Sequence, residues 1–186
     1  YQNPKMIVGC IAEWENRILL CRRAIEPRHG LWTVPAGFME NGETTAQGAA
    51  RETLEEANAR VEVGPLYAMY NIPHINQVYL LFRARLTDLA FSPGAETLEV
   101  RLFREEEIPW NEIAFATVRR TLTRYFADRQ SGEFAFHMGT IEPMKAPSTS
   151  PPPPHPVPLP PQGGEGASPK SSEQLVGSKH YLVANK

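Results

Sequence analysis

Cysteine is scarce, with Cys10 and Cys21 the only two in 186 residues. Two cysteines build neither a disulfide framework nor a Cys-x-x-Cys zinc site. Both stand in apolar runs, which predicts buried free thiols of a reducing compartment. No apolar run approaches the roughly 18 residues that a membrane span needs. A basic excess is also missing: 19 Lys and Arg stand against 21 Asp and Glu, a formal net charge of −2. That balance argues against general binding to nucleic acid or anionic membranes. The chain begins at Tyr1, not at a methionine, and so reads as a fragment or a processed form with any targeting peptide upstream. What remains is ordinary for a globular protein, 41% hydrophobic and 22% charged, with room for one domain or one domain plus a tail.

Proline is unevenly spread. Eleven of the 18 prolines lie from Pro143 onward, with the run Pro151 to Pro154 at their centre and Ser, Gly and Lys around them. Such a segment buries too little apolar surface to offset its ordering entropy. Residues 143–186 are therefore expected to be a disordered, Pro-rich tail with polyproline II character. An unknown proline-binding partner for it stays open.

Residues 1–142 read as one α/β domain. Met6 to Trp14 and Arg17 to Arg23 are strand-like runs joined by a turn at Glu15-Asn16, a hairpin pattern. Gly30 to Gly42 predicts a loop with a short strand. Thr44 to Ala57 predicts a helix that Asn58 ends. Val61 to Tyr70, Gln77 to Leu86 and Leu98 to Arg104 predict strands, and Glu133 to His137 a short last one. Phe115 to Asp128 predicts a second helix, with Ala116, Leu122, Tyr125 and Phe126 as candidate core. Two helices among mostly hairpin-connected strands suggest a mixed sheet flanked by helices.

The first helix carries the chemistry. At helical spacing Ala46, Ala49, Ala50, Thr53 and Ala57 form one stripe of small residues that can pack closely on a sheet. Glu52, Glu55 and Glu56 fall on a neighbouring face, with Thr45 and Gly48 one or two turns before them. By spacing alone this is either a solvated acidic face or a cation site. Like charges at these spacings cost about 0.2–0.5 kcal/mol each in an isolated helix. The small residues leave room beside the carboxylates, and the turn Pro35-Ala36-Gly37 could present a carbonyl to the same point. An all-oxygen set of that kind suits a hard cation such as Mg²⁺.

Gly37, then Glu43, then Arg51-Glu52-Thr53-Leu54-Glu55-Glu56-Ala57-Asn58-Ala59 resembles the Nudix box. Thr53 stands where the box has an aliphatic residue, Asn58 where it has Gly, and Ala59 is only a small apolar residue. Asn tolerates the left-handed conformation that ends a helix. The resemblance implies a Nudix fold, an α/β/α sandwich with a mixed sheet between helices. It implies an enzyme that hydrolyses nucleoside diphosphates linked to another moiety. Glu52, Glu55 and Glu56, with the Gly37 carbonyl, then look like ligands of Mg²⁺, for which Mn²⁺ can substitute. Arg51 looks like the partner of Glu43.

The resemblance extends to Tyr1 to Cys10, Leu19 to Arg23, Gly30 to Phe38, Leu102-Phe103, Glu107-Ile108-Pro109 and Phe136 to Ile141. These segments look like the subgroup of the plant plastid FAD diphosphatase, which also splits ADP-ribose, and its bacterial relatives. A small zinc ribbon commonly precedes that segment in the subgroup, and this chain holds none of it. The resemblance thus implies cleavage of FAD to FMN and AMP, or of ADP-ribose to AMP and ribose 5-phosphate, and a chloroplast address on that ground alone. Pro73 lies roughly where ADP-ribose-splitting relatives carry a proline, and the signature of the NADH-splitting enzymes is absent. NADH, oxidised nucleotides and a non-catalytic nucleotide-binding role remain the alternatives. Arg22, Arg23 and Arg28 could reach a diphosphate. Trp32 or Tyr70 could stack on a ring, or belong to the core. His29 and His74 sit in loops. The base is Glu55, Glu56 or an acid from the loop Pro93 to Glu99, with Glu99 placed ahead of Glu96 because it directly opens a strand. The expected partner is a small nucleotide, with no nucleic acid and no membrane; a homodimer stays open.

Overall fold

The computed structural model describes residues 3–143. All but one residue of the expected tail lies outside the described residues. Eight strands and two α-helices are present among the described residues. In chain order they are β1 (Lys5–Trp14), β2 (Arg17–Arg23), β3 (Trp32–Thr33), β4 (Ala36–Phe38), α1 (Thr45–Ala57), β5 (Val61–Ile72), β6 (Gln77–Leu86), β7 (Thr97–Phe103), α2 (Ala116–Ser131) and β8 (His137–Thr140).

One mixed sheet runs β3-β2-β1-β6-β5-β8, with β4 also paired to β1 and β7 to β2. β1 and β6 are parallel from Lys5↔Gln77 to Glu13↔Arg85, and β5 and β8 are parallel; the other pairs are antiparallel. Side-chain alternation splits the core into two layers. Val8, Cys10, Ala12, Leu19, Cys21, Leu80 and Phe82 pack with Ala49 and Ala57 of α1. Ile11, Ile18, Leu20 and Leu81 pack with Val118, Leu122, Tyr125 and Phe126 of α2. Each helix thus covers one face, the sandwich expected.

Both cysteines are free and buried. Burial pushes the Cys10 thiol up to about 11 and Cys21 upward as well, so neither is a ready nucleophile.

Helix α1 starts at a capping box. The Thr44 hydroxyl accepts from the Gln47 amide at 3.2 Å, and the Gln47 side chain accepts from the Thr44 amide at 2.8 Å. It stops at Asn58, whose φ of 47° is left-handed. Of the small stripe, Ala49, Thr53 and Ala57 are buried, and Ala46 and Ala50 are partly so.

Three expectations are corrected. Helix α2 runs on to Ser131 and ends at Gly132, φ 78°. The last strand begins only at His137, because residues 133–136 are used otherwise. Asp128 Oδ2 accepts the Ala135 amide at 3.3 Å, and the Phe134 ring covers Tyr67, Tyr125 and the Arg83 guanidinium. Ala116 is exposed; Thr117, Val118 and Thr121 take the core positions near it.

Candidate active site

The turn into β4 brings backbone to α1. The Cys10 amide donates to Pro35 O at 3.1 Å, and Val8 lies opposite Gly37 in the β1–β4 ladder. Gly9 makes this approach possible, since a Cβ there would strike Pro35 O and Ala36. On the helix side, Gly48 gives the same clearance to Glu43 and Val8. The Glu52 carboxylate then rests on Gly37, and Glu56 Oε2 accepts the Ala36 amide at 3.0 Å. Glu52 is 9% exposed and its acid belongs to the packed wall, whereas Glu55 stands out in solvent.

Arg51 ties the acids together with all five of its N–H donors. Nε and Nη2 grip Glu43 at 3.0 and 2.8 Å, Nη1 donates to Glu52 at 2.8 Å and to Glu55 at 3.0 Å, and Nη2 also donates to Phe38 O at 3.1 Å. A planar fork suits this; a lysine ammonium could not reproduce it. The guanidinium and the Glu40 amide hold the Glu43 carboxyl down at about 2. Glu56 behaves oppositely. Burial first, and Glu52 nearby, push it up to about 7 against the Ala36 hydrogen bond. Burial also raises Glu52, in spite of Arg51.

These groups line one wall of a cleft of about 980 Å³. Gly37, Arg51, Glu52, Glu55 and Glu56 form the acidic side. Tyr79, Ile72, Ile75, Phe115 and Ile141 give the same cleft apolar lining. Among the described residues no three His, Cys, Asp or Glu side chains are drawn together as a ready metal cage, because Arg51 neutralises Glu52 and Glu55 and the Ala36 amide engages Glu56. The donor chemistry nevertheless fits a hard cation. Gly37 leaves space filled only by a carboxylate, and Glu52 and Glu56 are two acids that burial raises beside it.

The structure sorts the remaining candidates. Arg23 lines the cleft; Arg22 and Arg28 do not. Arg22 is turned to Gly30 O at 2.8 Å and faces Glu99 at 3.9 Å. Trp32 is corrected: it is 6% exposed, set edge-on to Phe103 at 4.9 Å in the α2-side core, and absent from the cleft wall. Tyr70 is likewise core. Glu99 is not among the residues that line the cleft. It stands on β7 opposite Arg22, whereas Glu96 lines the cleft near enough to raise Glu56. Glu96 is held there by its loop. The Ser92 and Gly94 amides donate to the carbonyls of Ala57 and Glu56, both at 2.9 Å, and the Asn58 side chain donates to Ser92 and Pro93. The Pro-Gly pair predicts a turn, but nothing in the sequence announces that it locks onto the end of α1. Phe115 and Thr117 were legible only as residues of the second helix, and Ile141 only as the end of a segment of the resemblance.

Comparison with known proteins bears on this arrangement. A NUDIX hydrolase of known structure from Nitrosomonas europaea is 67% identical, with a TM-score of 0.75 over 76% of this chain and 80% of its own. An ADP-ribose pyrophosphatase of Methanocaldococcus jannaschii is 37% identical over 73 residues, 39% of this chain and 43% of its own length. A Salmonella typhi NAD-capped RNA hydrolase is 33% identical over 97 residues, 51% of this chain and 37% of its own. The chain thus spans less than half the length of these two curated relatives. The NUDIX domain profile matches residues 4–126, a span that includes the Arg51 cluster, the Glu52–Glu56 wall and the whole of β1 to β7. On that match and on the Nitrosomonas likeness, the chain belongs to the NUDIX hydrolase family.

Proposed function

We propose that this chain hydrolyses the diphosphate bond of ADP-ribose, to AMP and ribose 5-phosphate, or of FAD, to FMN and AMP, or of both. The observation that carries the reading is the mixed lining of one cleft: Gly37, Glu52, Glu55 and Glu56 offer oxygen donors, and Tyr79, Ile72, Ile75, Phe115 and Ile141 offer apolar surface. Its volume is at the upper end of the roughly 300–1,000 Å³ typical of small-molecule sites. Similarity to the ADP-ribose pyrophosphatase supports the substrate class.

In this reading Glu52, Glu55, Glu56 and the Gly37 carbonyl hold Mg²⁺, with Mn²⁺ as a substitute. Such a cation polarises phosphoryl oxygens, lowers the pKa of water and neutralises the leaving phosphate. Arg51 keeps Glu52 and Glu55 on the cleft wall and, through Glu43 and Phe38 O, pins the β4–α1 loop behind them. Water attacks phosphorus, the bond to the leaving phosphate breaks, and a carboxylate takes the water's proton. Glu56, poised about 7, and Glu96 close by are the candidates for that proton. Residues 1–142 carry this activity, and removal of 143–186 is expected to leave it nearly unchanged.

A second reading has its own support. Likeness to an NAD-capped RNA hydrolase favours an NAD-type dinucleotide, which offers the same adenosine diphosphate half. Products released from FAD, ADP-ribose, NADH and 8-oxo-dGTP, measured side by side with Mg²⁺ and with EDTA, test both. The expected result is AMP from ADP-ribose or FAD and none in EDTA. Turnover of NADH alone would move the assignment to the second reading. Turnover of 8-oxo-dGTP alone would overturn both, and full turnover in EDTA would overturn the metal.

A further inference from the structure

Strand β6 carries the α2-side core out to the cleft. Leu81, Tyr79 and Gln77 share one face of the sheet, since alternate residues of a strand point the same way. Leu81 is fully buried in that core, Tyr79 packs partly buried against it, and Tyr79 and Gln77 both line the cleft. On β5 the facing residues are Ala68, Tyr70 and Ile72, opposite Leu81, Tyr79 and Gln77 in turn. Ile72 is 5% exposed and lines the cleft beside Gln77. Ile141 follows β8 on the far side of β5, where its amide donates to Asn71 O at 2.9 Å.

Gln77 is out of place in that apolar surface. Among the described residues it is the one side-chain amide in the cleft lining, and it is partly buried. Gln47, Asn58 and Gln130 spend their carboxamides on the Thr44 amide, on Ser92 and on Glu105; Gln77 has no comparable partner among the described residues. Its two donors and its acceptor are left to whatever enters the cleft. Register also sets how far it stands from the acids. Ile7 of β1 is opposite Phe38 of β4 on one edge and Tyr79 of β6 on the other. At about 4.8 Å between neighbouring strands, β6 runs about 10 Å from β4, the strand of Gly37.

We propose that Gln77 selects the base of the substrate, reading adenine at its amino group and N7 while the ring lies against the apolar surface of Ile72, Tyr79 and Ile141. The inference rests on the diphosphate reading above and deepens it. With the diphosphate at Gly37 and the α1 acids, the base of an extended nucleotide reaches β6. A carboxamide matches adenine because its oxygen accepts from the N6 amino group while its nitrogen donates to N7. Hypoxanthine differs only in carrying an oxygen where adenine carries that amino group, so the carboxamide oxygen would meet an acceptor. The apolar lining suits a flat ring, which the ribose 5-phosphate half of ADP-ribose does not have. Adenine is the ring that ADP-ribose and FAD share.

The test is binding of AMP, IMP and FMN to the full chain with Mg²⁺, by titration calorimetry. None of the three has a diphosphate bond, so none is turned over. The parent is expected to bind AMP roughly tenfold more tightly than IMP, a comparison that needs no variant. Gln77→Leu is expected to bind the two alike, within about twofold, through a loss for AMP. Gln77→Glu, close to the parent in shape, keeps the acceptor for the amino group and loses the donor to N7, so its preference should fall between. Equal affinity of the parent for AMP and IMP, or no binding of either, would overturn the proposal. A preference for AMP that survives in both variants would overturn it too, since the base would then be read elsewhere. FMN bound more tightly than AMP, and weakened in Gln77→Leu, would give this surface to the flavin and overturn the adenine assignment. The expected AMP preference in a chain that splits neither ADP-ribose nor FAD would sink the diphosphatase reading and leave the base site standing.

Discussion

The Glu52 carboxylate rests on the Cα of Gly37, in space that a Cβ at that position would claim. The acid cannot simply swing aside, because Arg51 Nη1 holds it at 2.8 Å and it is 9% exposed. Glycine is required here for its size. Gly37→Ala is expected to fold only by displacing the carboxylate from the wall, at the cost of its bond to Arg51. A misplacement of about 1 Å at a catalytic group can cost on the order of a hundredfold in rate. Steady-state kinetics and a melting curve check this; parental kcat would show that the position of Glu52 is immaterial.

Gly94 is a different case. A Cβ there would meet the carbonyl oxygen of Glu55 and the backbone of Glu56, which have no flexible end to retreat. Overpacking of this sort costs about 1–3 kcal/mol. Gly94→Ala should therefore melt earlier, by about 2–4 °C per kcal/mol for a chain of this size. It should also lose activity, since the same loop carries Glu96. An unchanged melting temperature would mean that the loop does not clamp α1.

How much of this was legible beforehand depends on what each residue answers to. β2 and β6 run as read, from Arg17 to Arg23 and from Gln77 to Leu86, because turn residues bound their apolar runs. Helix α1 was legible at both ends, because Thr44 and Asn58 act locally. The small stripe predicted a face that packs on the sheet, and Ala49, Thr53 and Ala57 do so. What was not legible depended on distant partners. The Glu133 to His137 stretch reads as a strand, but Phe134 is spent on Tyr67 and Arg83, which lie far away in sequence. Glu99 was preferred over Glu96 on strand position. The β2–β7 register skips Leu98, setting Arg22 opposite Glu99 and Arg23 opposite Thr97, and no local signal marks that irregularity.

The Glu96 and Glu99 assignments separate in one comparison. Both side chains are exposed, so neither substitution by Gln should disturb folding. Glu96→Gln should slow hydrolysis by at least about tenfold, within the range of general acid–base effects. Glu99→Gln should leave kcat within about twofold of the parent, since surface substitutions away from a site change little. The reverse pattern would reinstate Glu99.

Glu56 also makes stability depend on pH in a stated direction. Its carboxyl is raised from the ordinary 4.5 to about 7 in the folded protein, chiefly by burial. The folded state therefore holds this proton more tightly than the unfolded chain does. Its contribution to stability is fully present below the unfolded value and is lost as pH rises from about 4.5 through about 7. In EDTA, the melting temperature of the parent minus that of Glu56→Gln should fall across that window. A difference that is flat or rises with pH would show that Glu56 is not raised.

The same substitution separates chemistry from structure. Gln matches Glu in size, has a similar helix propensity, and keeps an oxygen to accept the Ala36 amide, bonded to Glu56 at 3.0 Å. It removes a buried charge that Glu52 repels, so Glu56→Gln should melt no earlier than the parent at pH 8 without a divalent cation. Hydrolysis should respond in the opposite sense. If Glu56 helps to hold the cation, its loss removes part of a charge stabilisation worth several kcal/mol in the transition state. At tenfold per 1.36 kcal/mol, a loss of at least about a hundredfold in kcat follows. Added Mg²⁺ should raise the melting temperature of the parent and do so less in Glu56→Gln, a readout that needs no turnover. Parental kcat together with an undiminished Mg²⁺ response would reduce the glutamate wall to a solvated surface. Early melting would instead make Glu56 a structural partner of Ala36, and the loss of rate would then carry no information about the reaction.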